Sequence, residues 1–158
     1  MANTNAGRKF YVCATAQPED LTEAEFIALT WVEVKNVGSI GASGSDTNIV
    51  NYDELATKVT QKNKGITNAG DPEIECARNP TDPGQVLLRT QAKTKFYYAF
   101  KTEDADAPDE DTSNSLYFNR GLVTGPTRPN GRNEDFILEV FKLALVQEEI
   151  VVDPADLG

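Results

Sequence analysis

Hydrophobic and polar residues alternate along several short segments of this chain, and this alternation predicts a mainly β protein. The clearest segments are 8–15 (RKFYVCAT), 31–37 (WVEVKNV) and 72–78 (PEIECAR), where apolar side chains recur at every second position. A period of two residues places those side chains on one face of a strand. We therefore expect a strand in each segment, and a further strand at 116–123 (LYFNRGLV).

Residues 82–101 (DPGQVLLRTQAKTKFYYAFK) combine a helix signal with an aromatic strand signal. Asp82 is a favourable N-cap, and Pro83 suits the first helical position, where no amide donor is required. Four aromatic residues within 95–101 then favour a strand, because aromatic side chains have high strand propensity. We expect this helix to pack against the sheet that the strand joins.

Three other segments have weaker signals. Residues 21–29 predict a short helix, because Thr22 and Glu25 form a capping-box pair. Residues 134–147 have both alternating and helical spacing, and their β-branched and aromatic content favours a long final strand. The glycine-rich segment 38–44 lacks the spacing and the following helix of a nucleotide-binding loop, so we expect a flexible turn there.

Residues 46–70 differ from the rest of the chain because apolar residues are sparse in them and lysines are frequent. One interpretation is a surface hairpin without a partner. The other is an extended arm that pairs with another strand edge or another subunit, and the sequence leaves both open. The arm residues that we expect to make assembly contacts are Thr57, Lys58, Val59, Lys62, Lys64 and Ile66.

A chain of 158 residues is long enough to bury a sizeable core, and we expect one domain spanning 1–158 with the arm at 46–70. No apolar run approaches the roughly 18 residues that a membrane helix needs. The apolar stretch at 10–13 is too short for a signal peptide, so we expect a cytoplasmic protein. Cys13 and Cys76 lie in predicted strands, and we expect buried reduced thiols, with a disulfide as the alternative.

The residue inventory argues against catalysis and against a metal or cofactor site. The chain has no histidine, which removes His-based triads and most acid–base schemes. The acidic segment 103–111 (EDADAPDED) lacks the glycine and the closing glutamate of an EF-hand, so we expect a solvated hairpin loop. We therefore expect no enzyme activity, no metal and no cofactor.

The net charge of −10 is unevenly distributed. Residues 1–102 carry 12 acidic and 11 basic side chains, whereas residues 103–158 carry 13 and 4. A protein with this balance repels nucleic acid and does not bind its phosphates.

These elements, in this order, resemble the tail tube (major tail) proteins of long-tailed bacteriophages and of related gene transfer agents. The resemblance implies a β-sandwich or barrel with one flanking α-helix, a long extended hairpin arm, and a strand that crosses the sandwich at 118–121. Besides the polar arm, it is carried by KFYV at 9–12, WVEVKNVGSIG at 31–41, DPGQxxL at 82–88, YYAF at 97–100 and FxRGLV at 118–123.

The resemblance also implies a function. Such a protein is structural and assembles with itself into stacked hexameric rings, which form a hollow tube through which DNA leaves the capsid without specific binding. The implied partners are further copies of the chain and other tail proteins, namely the tape measure, terminator and distal tail proteins. The implied location is the virion tail, assembled in the host cytoplasm, with no membrane contact.

An acidic lining suits a DNA conduit, because a duplex must slide through it without sticking. The candidate lumen-facing carboxylates are Glu134, Asp135 and Glu139, all within the predicted final strand. Alternation sets Glu139 opposite Leu138 and Val140, so we expect Glu139 to face water while those two side chains face the core.

The sequence leaves two alternative functions open. One is the tube protein of a contractile injection system, for which family resemblance implies a similar fold. The other is a monomeric β-sandwich that binds a ligand or a surface. Electron microscopy of the purified protein distinguishes the second from a tube protein.

Overall fold

The computed structural model describes residues 4, 6–44, 46–53 and 59–156 of the chain. Strands predominate, which confirms the predicted mainly β fold. In chain order the elements are β1 (Lys9–Cys13), α1 (Glu23–Ala28), β2 (Trp31–Val34), β3 (Val37–Ile40), β4 (Asp46–Tyr52), β5 (Gln61–Asn68), β6 (Glu73–Ala77), α2 (Pro83–Gln91), β7 (Tyr98–Glu103), β8 (Leu116–Thr127), β9 (Leu138–Leu145) and β10 (Ile150–Val152).

Eight strands form one antiparallel sheet in the order β2-β1-β7-β8-β9-β6-β3, with β10 added beside β8. β2 and β3 are consecutive in the chain, joined only by Lys35 and Asn36, yet they lie at opposite ends of this order. The sheet therefore curls until its first and last strands meet. Asn36 forms the corner with a left-handed backbone (φ 62°), and its carbonyl accepts a hydrogen bond from the Ala77 amide at 2.9 Å.

β8 belongs to both halves of the curled sheet. Its first part, up to Gly121, pairs with β7, and its second part, from Gly121 onward, pairs with β9. The backbone of Ala144 lies so close to Gly121 that a Cβ atom there would clash with the Ala144 carbonyl. The crossing strand predicted at 118–121 is thus confirmed, and glycine permits the close approach.

The main hydrophobic core lies between the two halves. The rings of Phe10 and Phe100 stack within it, with their centroids 6.1 Å apart. Full burial of each such aliphatic or aromatic side chain contributes about 1.5–3 kcal/mol. The half that contains β1, β2 and β7 contributes Phe10, Val12, Val34, Tyr98 and Phe100 to the core. The other half contributes Ile74, Cys76, Val123, Phe141, Leu143 and Leu145.

A smaller cluster lies on the outer face of β1, β7 and β8, beneath α1. Phe26 of α1 stacks on Phe118 with ring centroids 5.1 Å apart, and Trp31 adds a third ring at 5.9 Å from Phe118. The predicted capping box is confirmed, since the Thr22 side chain and the Glu25 side chain each accept the other residue's amide. α1 therefore acts as a short cover over one outer face.

α2 begins as predicted, with Asp82 as the N-cap and Pro83 in the first turn. The helix packs so tightly on the backbone of β2 that a Cβ atom at Gly84 would clash with the Glu33 carbonyl. Leu88, on the same side of the helix, is fully buried in the main core. The predicted packing of this helix against the sheet is confirmed.

Three predicted strand or turn boundaries were wrong. The expected strand at 31–37 ends at Val34, because the left-handed corner at Asn36 interrupts it. The expected turn at 38–44 contains most of β3, which pairs with β6 through a register shift between Val37 and Ser39. The expected long turn at 124–133 begins later, because β8 continues to Thr127.

The aromatic strand and the final strand also differ from the prediction. β7 begins at Tyr98 rather than residue 95, and Phe96 lies outside the strand with 62% of its surface exposed. The segment 134–147 is a strand and not a helix, but β9 starts only at Leu138. Strand propensity alone could not locate either start, because the backbone partners that begin each strand are distant in sequence.

Cys13 and Cys76 are free and buried, as predicted, the first in the outer cluster and the second in the main core. Burial raises the pKa of the Cys76 thiol to about 11, with Glu139 as a further cause. Among the described residues, no helix combines the length and the apolar character required to cross a membrane.

We expect Asp82→Ala to lower the free energy of unfolding by about 2–4 kcal/mol. The buried Asp82 carboxylate accepts the Gln85 amide at the helix start and the Lys35 amide at the corner, each at 3.1 Å. The substitution removes the N-cap and leaves the amide at the corner without its acceptor. Urea denaturation measures the change, and Thr22→Ala, at the exposed cap of α1, serves as a control with a loss of about 1 kcal/mol. Equal losses in the two variants would contradict the role of Asp82 at the corner.

Candidate assembly surfaces

β4 and β5 form a two-stranded sheet of their own, separate from the eight-stranded sheet. Every residue of β5 is exposed, and in β4 only Thr47 is partly buried. This hairpin confirms the predicted long extended arm. A lone two-stranded hairpin is at best marginally stable in water, so this segment is suited to packing against something else.

The two faces of the arm differ in chemistry. Register pairs Ile49 with Lys64 and Asn51 with Lys62, which places both lysines on one face beside an exposed isoleucine. A shallow cavity of about 520 Å³ lies beside Ile49 and the two lysines, and Asn63, which lies between the lysines in the chain, also lines it. On the opposite face Val50 pairs with Asn63 and Tyr52 with Gln61, so that face carries no charge in the paired region.

The arm joins the rest of the protein through a narrow root. A Cβ atom at Gly70 would lie 3.3 Å from the Gly44 carbonyl oxygen, so the outgoing and returning chains touch there. The Asn68 side chain accepts the Gly70 amide at 3.0 Å, and the Gly70 carbonyl in turn accepts the Leu145 amide at 3.1 Å. The described residues of β4 and β5 are therefore outside the core.

Four of the six predicted assembly residues lie on the exposed arm: Val59, Lys62, Lys64 and Ile66, the last with 81% of its surface exposed. Thr57 and Lys58 lie outside the described residues. The assembly role of all six stays a prediction.

The predicted acidic loop caps one end of the sheet. It links the end of β7 to the start of β8, and the C-terminal residues 153–156 run beside it, where the Ser113 amide donates to the Ala155 carbonyl at 2.9 Å. Residues 104–111 and 153–156 together carry seven carboxylates. We call this surface the acidic end.

Few interactions neutralise the acidic end. Arg8 forms an ion pair with Asp104 at 2.6 Å, and it is the one cation that the described residues bring into an ion pair there. Asp106 accepts hydrogen bonds from the Ser115 amide and hydroxyl at 2.8 and 2.6 Å, and these bonds lower the pKa of its carboxyl. Within the described ranges, no group of three or more Asp, Glu, Cys or His residues is arranged to hold a metal ion.

The expected orientation of Glu139 was wrong. Glu139 is 2% exposed and shares the inward face of β9 with Phe141, Leu143 and Leu145, whereas Leu138 and Val140 lie on the other face. Its carboxylate accepts from Arg89 Nη2 at 2.7 Å and Nε at 3.0 Å, and Arg78 lies 3.4 Å away. α2 supplies Arg89 to this site, so Glu139 is an internal ion-pair partner and does not face water as expected.

Glu134 and Asp135 are exposed, but they lie in the loop before β9 and not on a strand as expected. Asp135 accepts the Arg132 amide at 2.7 Å, which fixes a local turn. Whether these two carboxylates line a bore stays a prediction.

The outer face of β1 and β7 carries a polar ladder that no pattern in the sequence indicated. Lys101 Nζ lies 4.2 Å from the centre of the Tyr11 ring, and the Tyr11 hydroxyl donates to Glu103 at 3.2 Å. Burial, assisted by Glu103, raises the pKa of Tyr11 to about 12, while burial lowers the pKa of Lys101. The ladder needs β1 and β7 side by side, and these strands are about 90 residues apart in the chain.

Comparison with solved structures identifies the architecture. A chain of the anti-feeding prophage baseplate, solved by cryo-EM with 6-fold symmetrisation, has a TM-score of 0.63 and 6% identity over 97% of this chain and 98% of its own length. A chain of an extracellular contractile injection system, from the PVC sheath/tube terminator in the extended state, has a TM-score of 0.68 and 10% identity, with 96% and 97% coverage. The SPP1 tail tube structure has a TM-score of 0.62 and 13% identity over 94% of this chain and 78% of that chain.

The chain has the tail-tube fold. This confirms, at the level of the fold, the resemblance drawn from the sequence. No family model matches the sequence, and no curated protein sequence matches it. The likeness to these structures is therefore one of fold, at 6% to 13% sequence identity.

We expect Glu139→Gln to destabilise the protein by about 2–4 kcal/mol, because it leaves the Arg89 charge without its anionic partner in a mostly buried site. Glu134→Gln, which changes an exposed carboxylate in a neighbouring loop, is the matched control and should change stability by less than about 0.5 kcal/mol. Urea denaturation compares the two variants. A Glu139→Gln variant as stable as the control would contradict the structural role of this ion pair.

Proposed function

We propose that this chain is a structural subunit of a phage-type tail tube, in which hexameric rings stack into a hollow conduit for DNA. The observation that carries the proposal is the likeness, over nearly the whole chain, to a phage tail tube and to chains of two injection-system assemblies. Three assemblies of this kind support a structural role in a tail tube or baseplate.

Ring formation is supported by the free edges of the sheet. Among the described strands of the eight-stranded sheet, β2, β3 and β10 each pair on one side only. A neighbouring copy can satisfy such an edge, and a head-to-tail contact repeated about an axis closes a ring. We take six as the number of copies, by analogy with the 6-fold symmetrised baseplate.

The arm is assigned to contacts between successive rings. Its exposed apolar side chains, Ile49, Val50, Tyr52 and Ile66, contribute nothing to the core of their own subunit. Burying them against a neighbour gains about 25 cal/mol for each Å² of apolar surface removed from water. Its lysines can reach an acidic surface on the next ring, which favours a defined register.

Passage of DNA is supported by the net charge of −10. A negatively charged wall repels the duplex and keeps it from binding, whereas a basic wall would hold it through its phosphates. Glu134 and Asp135 remain the candidate lining residues from the sequence, since both are exposed. In this role the subunit works in the virion tail, after assembly in the host cytoplasm beside the tape measure, terminator and distal tail proteins.

The second candidate is a tube or baseplate protein of a contractile injection system. It is favoured by the likeness to the anti-feeding prophage baseplate and the PVC terminator, the latter with a TM-score of 0.68. The two candidates share the assembly and differ in what passes through it. Nuclease-protected DNA inside particles that carry this protein would favour the phage tail.

Electron microscopy of the purified protein tests the proposal. We expect rings or stacked tubes at high concentration, or after addition of a tail-initiating partner. A strictly monomeric species under all these conditions would contradict it and would favour the lone β-sandwich binding module.

A variant without the arm is the matched control. Residues 48–66 are replaced by a short Gly-Ser linker between Thr47 and Thr67, which are paired across the hairpin, so Asn68 and the contact between Gly44 and Gly70 are kept. Because the arm is outside the core, we expect the melting temperature to change by only a few degrees while tubes no longer form. An unfolded variant would mean that the arm belongs to the core.

A further inference from the structure

We propose that the lysine face of the arm, formed by Ile49, Asn51, Lys62 and Lys64, docks on the acidic end of a second copy of this chain. The inference rests on the proposed tube function and names the partner surface for the arm. It selects one of the two arm faces and one of the many surfaces that a neighbouring subunit could offer.

The lysine face has the features of an unfilled docking surface. Neither Lys62 nor Lys64 forms an ion pair with another described residue, and both are exposed. Ile49, 59% exposed, lies directly opposite Lys64 in the hairpin, beside the shallow cavity of about 520 Å³. A cationic surface with an apolar centre selects an anionic partner that also has small apolar groups.

The acidic end has the complementary features. Seven carboxylates lie in residues 104–111 and 153–156, and small apolar residues alternate with them at Ala105, Ala107 and Pro108. Hydrogen bonds of Asp106 and Asp109 hold the loop, since Asp109 accepts from the Asp111 amide at 2.9 Å and the Thr112 hydroxyl at 2.8 Å. The side chains of Glu110 and Asp111 are exposed, without a hydrogen bond of their own among the described residues.

A second copy is the natural source of this partner. The two surfaces are different parts of one chain, so each copy in a tube can offer its arm to the next copy and its acidic end to the previous one, which is a heterologous contact that repeats. β5 has eight residues and spans about 26 Å at the usual rise per strand residue. An exposed hairpin of that length, joined to its own subunit through a narrow root, can reach a neighbouring copy.

Charge reversal tests the pairing. The variant Lys62→Glu with Lys64→Glu should raise the critical concentration for tube assembly by about tenfold or more, measured by sedimentation. Its matched control is Lys93→Glu with Lys95→Glu, which makes the same change in net charge at two exposed lysines near the start of β7. We expect the control to assemble as the unmodified protein does.

A charge swap then identifies the partner surface. Adding Glu110→Lys and Asp111→Lys to the arm variant should return the critical concentration to within about threefold of the original. The matched control adds Glu19→Lys and Glu23→Lys instead, which restores the same net charge at other exposed acids and should not rescue assembly.

The outcomes separate this inference from the proposed function. If the unmodified protein never forms tubes, the proposed function fails. If it forms tubes and the arm reversal has no effect, or if both swaps rescue assembly equally, the docking inference is overturned while the tube function stands. If the arm reversal impairs assembly and the added Glu110→Lys and Asp111→Lys changes do not restore it, the docking inference is also overturned, because the arm then binds elsewhere.

Discussion

The structure depends on the hydrogen bonds that hold the corner between β2 and β3. At this corner the Gln85 side chain donates to the Lys35 carbonyl at 2.8 Å and to the Ala77 carbonyl at 3.0 Å. Asp82 accepts the Lys35 amide. Two residues at the start of α2 therefore bind the amide and the carbonyl of Lys35, and one of them also binds the Ala77 carbonyl. These bonds are partly buried, and leaving such amide and carbonyl groups without partners is costly, so the bonds favour the curled sheet over an open one.

The closed sheet separates the residues that form the core from those of the arm, which stay exposed. The sandwich completes its core from residues on both sides of the arm, and α1 and α2 cover what the strands leave open. The arm is therefore not needed to satisfy the core, and its surface is available for other contacts. The charge distribution follows the same division, with carboxylates concentrated at one end of the sheet and the exposed lysines Lys62 and Lys64 on the arm.

Local signals in the sequence predicted much of this fold, and distant contacts account for the rest. The N-cap at Asp82 and the capping box at Thr22 depend on neighbours within a few residues, and both were correct. The arm was recognisable because it lacks apolar periodicity. Glu139 was placed on the wrong face because both alternating sets of β9 contain apolar residues, and its partner Arg89 is 50 residues away.

The central claim is that a closed sandwich supports an arm reserved for assembly, and hydrogen exchange of backbone amides tests it most directly. We expect the Lys35 amide and the core strands to exchange slowly in both free and assembled protein. The β5 amides should exchange rapidly in the free subunit and at least about tenfold more slowly in tubes, because an isolated hairpin opens easily. Arm amides that are as protected in the free subunit as those of the core, or that gain no protection on assembly, would contradict the account.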